Sequence, residues 1–221
     1  MDYTVVSTQS DTHPDLPHIV GRHLQHPYQR PIPVKQRQLF ADCLAAIPPH
    51  MPLILDSGCG TGRSTAYLAA QYPEHFVLGL DKSQHRLQRH HASPNITNYR
   101  LCQVELIDFW RLLAQANRPI SHHFLLYPNP WPKPKHVMRR WHAHPIFTTL
   151  LTLSPYIEVR SNWQIYCDEF RQAALCCGQW ETELHTFTPH TPCSAFETKY
   201  LQQQTPLFQL QLSKTNDNCL Q

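Results

Sequence analysis

Between residues 50 and 180 the chain alternates short, nearly continuous apolar runs with stretches in which apolar side chains recur every three or four positions. Unbroken short runs predict strands buried on both faces, and the three/four recurrence predicts helices. Strands are expected at 52–56, 76–81, 98–103, 122–127 and 156–160. Helices are expected at 36–47, ended by Pro48-Pro49, at 63–72, stopped by Pro73, around 84–91, at 106–116, at 139–151, and at 163–177, closed by Gly178. Segments near 180–184 and 207–212 suit a closing hairpin. Strands alternating with helices imply βαβ units and a mostly parallel sheet, whose ligands bind beyond the carboxyl ends of the strands at a switch point. No repeat or linker divides residues 36–221, which read as a single domain. Residues 1–35, rich in Pro, His and polar side chains, show no period and read as an N-terminal arm, partly flexible and free to order on a partner.

Composition narrows the class. The 221 residues are 41% hydrophobic, enough to bury a core and to exclude a wholly disordered chain. No run approaches the roughly 18 apolar residues of a membrane span. The start, Met1-Asp2-Tyr3-Thr4, lacks the basic and apolar regions of a secretory signal. The cysteines, at 43, 59, 102, 167, 176, 177, 193 and 219, form no CxxC pair and read as reduced thiols of a cytoplasmic protein. His90-His91, His122-His123, His142 and His144 have no regular ligand spacing, so no metal is expected. Net charge is only +3, but its distribution is uneven. From Phe109 to Ile157 there is no acid, while Arg111, Arg118, Lys133, Lys135, Arg139 and Arg140 fall inside; Leu16 to Ala41 is also acid-free. Clustered cations of this kind suit a polyanion.

The strongest local signal follows the first predicted strand: Asp56-Ser57-Gly58-Cys59-Gly60-Thr61-Gly62. Glycines at 58, 60 and 62 let the chain turn sharply into a helix and let a ligand approach bare backbone. The third glycine comes one residue too early for a dinucleotide fingerprint. Asp56 before the glycines would repel a phosphate but suits a cationic, phosphate-free cofactor. Asp81 ends the second strand, where a carboxylate can hold ribose hydroxyls, and Glu105 follows the third, within reach of an adenine amino group. With these residues the chain resembles the class I S-adenosyl-L-methionine-dependent methyltransferases. That resemblance implies a Rossmann-like α/β fold, a mostly parallel seven-stranded sheet with helices on both faces, and S-adenosyl-L-methionine held by Asp56, Gly58, Gly60, Gly62, Asp81, Glu105 and Asn129.

After the fourth strand comes Tyr127-Pro128-Asn129-Pro130-Trp131-Pro132-Lys133-Pro134-Lys135-His136-Val137-Met138-Arg139-Arg140. Prolines stiffen this loop, Trp131 offers a flat face, Asn129 an amide, and the cations a track for phosphates. The segment resembles the F-P-D-P-W-x-K-x-R-H-x-K-R-R pattern of bacterial tRNA (guanine-N7)-methyltransferases. Ser161-Asn162-Trp163-Gln164-Ile165-Tyr166 and Cys193-Ser194-Ala195-Phe196-Glu197 resemble that family's T-D-W-x-x-Y and T-x-F-E segments. The resemblance implies methyl transfer to guanine N7 in tRNA, with Asn129 at the reacting centre. Lys133, Arg139, Arg140, Asn162, Ser194, Ala195, Phe196 and Glu197 would hold the nucleic acid. The family's two aspartates are Asn129 and Asn162 here, which removes two carboxylates that could accept from guanine N1–H and its amine. Glu197 is the acid left to take over. A methyltransferase acting on an amine of another substrate, and a weakly active cofactor- or RNA-binding paralogue, stay open at this point, as do monomer and homodimer.

Overall fold

The computed structural model describes residues 5–178 and 180–215; the sequence readings on residues 1–4 and on Cys219 lie outside them. The elements in chain order are α1 (Leu16–Gln25), α2 (Val34–Ala45), β1 (Leu53–Ser57), α3 (Arg63–Gln71), β2 (Phe76–Asp81), α4 (Gln84–Leu87), β3 (Tyr99–Gln103), α5 (Leu106–Ala116) and β4 (Ile120–Leu126). Two 3₁₀ turns follow, Pro134–Arg139 and Trp141–Ala143. Then come α6 (Phe147–Thr152), β5 (Tyr156–Ser161), α7 (Gln164–Cys176), β6 (Trp180–Phe187), α8 (Ala195–Gln202) and β7 (Leu207–Lys214).

β1 and β2 are apolar along almost their whole length because both sides of each are covered. Leu53, Leu55, Leu78 and Leu80 point into one cluster with Phe109, Trp110, Phe147 and Phe170, while Ile54 and Val77 point into another with Leu68 and Ala69 of α3. The seven strands lie in the order β3-β2-β1-β4-β5-β7-β6. The first five run parallel; β7 is antiparallel between β5 and β6. Sequence order reverses direction between β1 and β4, so the crevice at their carboxyl ends is the switch point.

The expected flexible arm is not what the structure holds. Leu16, Ile19 and Val20 of α1 are buried, and α1 lies on α7. Ahead of it, Gln9 Nε2 and the His13 N–H donate to Glu169 Oε1 at 2.6 and 2.9 Å. The arm read as polar because only three of the residues of α1, Leu16, Ile19 and Val20, are buried, and they are set among Pro, His and other polar side chains. The expected helix over 139–151 is instead two 3₁₀ turns and the six-residue α6, and the helix around 84–91 stops at Leu87. No helix among the described residues is long and apolar enough to cross a membrane, and the seven described cysteines are free thiols.

Candidate active site at the ends of β1 and β4

β1 ends in Asp56, which is buried, and its Oδ2 accepts from Ser64 Oγ and Thr65 Oγ1, both at 2.7 Å. Burial pushes this carboxyl up to about 6, against the pull of the two hydroxyls. Asp56 therefore fastens the start of α3 to β1 beneath the glycine turn. The turn itself is clamped onto β2: the Gly58 and Cys59 N–H groups donate to Leu80 O at 2.7 and 3.0 Å. Gly62 sits at φ +76°, and a Cβ there would collide with the Leu101 side chain, so both conformation and space demand glycine.

Asp81 ends β2 with 1% of its surface exposed. Its Oδ2 accepts from Gly60 N–H at 2.9 Å; its Oδ1 accepts from Ser83 N–H at 2.7 Å and Arg86 Nη2 at 3.0 Å. Glu105 is the exposed residue capping α5, and its own N–H donates to Gln36 Oε1 at 3.2 Å.

Above the turn opens a cavity of about 780 Å³. Gly58, Cys59, Gly60, Thr61 and Ser64 form its floor, and Leu126, Tyr127, Pro128, Asn129, Pro130 and Pro132 form the opposite wall. Asn162 after β5 and Ser194, Ala195, Phe196 and Tyr200 at the start of α8 complete it, with Arg63, Arg86 and Arg89 at one side and Val5 and Val6 at another. The cavity thus unites the glycine turn, the proline loop and the Ser-Ala-Phe segment, which are far apart in sequence. Among the described residues none that lines it is Asp, Glu, His or Lys.

The proline loop is held in a strained path. Tyr127 and Trp131 both have φ in the left-handed region, at 53° and 45°. The Tyr127 N–H donates to Arg160 O at 2.8 Å, the Trp131 N–H donates to Asn129 Oδ1 at 3.2 Å, and Trp131 O accepts from Arg140 Nε and Nη2 at 3.3 and 3.1 Å. Tyr127, Phe196 and Tyr200 form an aromatic wall with centroids 5.6 to 6.5 Å apart; Phe196 is 49% exposed.

Several residues expected at the substrate side lie elsewhere. Arg140 has no exposed surface; its Nη1 lies 2.5 Å from Glu169 Oε2 and its guanidinium lies over Trp163, so it supports the loop from inside and cannot meet a phosphate. Glu197 is also fully buried. Its Oε1 accepts from Tyr127 Oη and Arg160 Nη1, both at 2.8 Å, and its Oε2 from Cys193 N–H at 2.7 Å, so it is spent on anchoring α8 and is no replacement for the missing aspartates. The Trp131 ring is not in the cavity but under Arg139, whose guanidinium carbon is 4.6 Å from the ring centroid. Lys133 and Arg139 are exposed outside the cavity, and Asp56, Gly62, Asp81 and Glu105 do not line it.

Sequence reasoning missed the three arginines, the Tyr127 and Tyr200 rings, the N-terminal wall and α8 itself. For α8 a signal was present. Ser194 and Glu197 have capping-box spacing, and Ser194 Oγ accepts from Glu197 N–H at 3.2 Å.

The strand order, the glycine turn and the cavity at the switch point define a Rossmann-like class I methyltransferase fold. A solved structure described as an antibiotic-related methyltransferase superposes with a TM-score of 0.55 at 13% identity, covering 85% of this chain and 97% of that one. Residues 50–210 match the family described as "Putative methyltransferase". A tRNA (guanine-N(7)-)-methyltransferase of Rubrobacter xylanophilus is 33% identical over 124 residues, 54% of this chain and 51% of that protein. One of Paracidovorax citrulli is 31% identical over 172 residues, 72% of this chain and 68% of that protein. The chain belongs to this tRNA (guanine-N(7)-)-methyltransferase family. It spans about half the length of the first of these two relatives.

Proposed function

We propose that the protein transfers a methyl group from S-adenosyl-L-methionine to N7 of a guanine in tRNA, as the names of its relatives describe for them. One observation carries the reading: among the described residues the cavity is lined by no Asp, Glu, His or Lys that would act as a general base. Guanine N7 is a hydrogen-bond acceptor with an in-plane lone pair and no proton, so its methylation needs none. A hydroxyl acceptor would have to be deprotonated.

The residues present fit the cofactor. The volume is within the usual range for a small-ligand site, the bare glycine turn admits close approach, and Asp81 at the end of β2 has the chemistry to hold ribose hydroxyls. When bound, the cofactor supplies an electrophilic methyl group on a sulfonium. The chain's own part is alignment and packing, which are orientation effects. Asn129 presents its amide across from the glycine turn, fixed by the bond from the Trp131 N–H. Phe196 and Tyr200 offer faces on which an extruded base stacks, and Asn162, Ser194 and Ala195 border it. Lys133 and Arg139, exposed outside the cavity, serve the phosphate backbone, and the reaction belongs in the cytoplasm with its tRNA.

The test is incubation with methyl-labelled cofactor and unmodified bulk tRNA, then digestion to nucleosides. The reading requires label in N7-methylguanosine. Label in another nucleoside, or none in RNA, overturns it.

A further inference from the structure

Asp81 is short of acceptor capacity. An ionised carboxylate offers about four lone-pair sites. Here Oδ2 takes the Gly60 N–H, and Oδ1 takes both the Ser83 N–H and Arg86 Nη2. One site remains, whereas a ribose diol brings two hydroxyls. The two backbone donors are fixed, Gly60 by the turn and Ser83 by capping α4, where its hydroxyl accepts from Arg86 N–H. The Arg86 side chain is different: it is 47% exposed at the end of a flexible stem. The cavity outline agrees. Arg86 and Arg89 line it, while Asp81 and Gln103, at the ends of β2 and β3 behind them, do not.

Resting on the function proposed above, we propose that Arg86 is a gate on the ribose subsite. Its guanidinium holds the Asp81 acceptor site that a ribose hydroxyl needs, and it swings into solvent when the diol arrives. Arg86 therefore limits cofactor affinity through the ion pair that its half-exposed guanidinium makes with Asp81. The carboxylate end is buried and keeps its two backbone donors, while the guanidinium end is in solvent and screened by salt, so releasing the arginine costs little. Cofactor affinity then rises with ionic strength, a trend that attraction between ligand and protein charges does not produce.

Calorimetric titration of S-adenosylhomocysteine into the full chain, with no methyl transfer involved, tests this. At low salt Arg86→Ala should bind about three- to fivefold tighter than the wild type, the range for losing a pair whose cation is solvated. Between about 0.05 and about 0.5 M salt the wild type should tighten by a similar factor and Arg86→Ala stay flat. Arg86→Lys, which keeps the charge, should follow the wild type. Equal or weaker binding by Arg86→Ala, or no salt trend in the wild type, defeats the gate and leaves the proposed function standing. No binding by either protein at any salt defeats the proposed function, and the gate with it.

Discussion

Glu169 lies on α7, outside the cavity, yet it organises the loop that forms one of the cavity walls. All four of its lone-pair directions are used. Oε1 accepts from Gln9 Nε2 and His13 N–H, and Oε2 accepts from Arg140 Nη1 at 2.5 Å and His142 Nε2 at 2.8 Å. Arg140 in turn donates to Gln9 Oε1 at 2.9 Å and to the Trp131 carbonyl. Glu169→Gln keeps the shape but removes the charge and turns one oxygen into a donor facing donors. Arg140 would then be a buried cation without a counter-charge, a change that costs about 3–5 kcal/mol. A second route gives a similar size. Burial would raise the Glu169 carboxyl, but the bonds and charge of His142 and Arg140 outweigh it and bring it down to about 2 from 4.5. At about 1.4 kcal/mol per unit this is on the order of 3 kcal/mol of linkage. That stability is present above about pH 4.5 and fades as pH falls toward 2. For a chain of this size the variant's melting temperature should drop by about 6–20 °C at neutral pH, measured by scanning calorimetry. A drop below about 3 °C for Glu169→Gln would refute the reasoning.

Asp56 has the opposite sign. Its carboxyl is raised from 3.8 to about 6 in the fold, so its ionisation costs stability as pH rises across that window, on the order of 3 kcal/mol in all. Asp56→Asn should gain on the wild type in denaturant unfolding between pH 4 and 7; a constant difference would contradict the burial argument. Lys133→Ala should weaken tRNA binding and reduce its salt slope by about 1 while leaving S-adenosylhomocysteine affinity unchanged; a parallel loss of both would place Lys133 elsewhere. Asn129→Asp keeps the acceptor for the Trp131 N–H and adds a charge beside a base that becomes cationic, so guanine methylation should accelerate by about tenfold. Single-turnover rates that do not rise would mean that Asn129 does not face the developing charge.

The legible parts of the fold were those in which local pattern and tertiary burial agree. β2 and α5 have the predicted bounds because β2 is buried on both faces and α5 puts Phe109, Trp110, Leu112 and Leu113 inward at helical spacing. Gly58, Gly60, Asn129, Asn162 and residues 194–196, singled out from local motifs, all line the cavity at the switch point. Arg140 and Glu197 were misread as nucleic-acid contacts because local sequence shows a basic cluster and an acid, not the partners that bury them. Glu169 is 29 residues from Arg140, and Arg160 is 37 from Glu197. α1 was hidden by the polar, proline-rich residues around Leu16, Ile19 and Val20, whose burial depends on α7. Helix 84–91 was overextended because His90 leaves the helical path to meet Thr61 O and Tyr99 Oη, at 2.9 and 2.7 Å.

The most direct measurement is a crystal structure with S-adenosylhomocysteine and a guanine nucleotide soaked in together. The thioether should lie over the glycine turn, the ribose on Asp81 and the base against Phe196, with N7 directed at the sulfur across from Asn129. Either molecule seated outside this cavity, or a base whose N7 faces away from the sulfur, would contradict this arrangement.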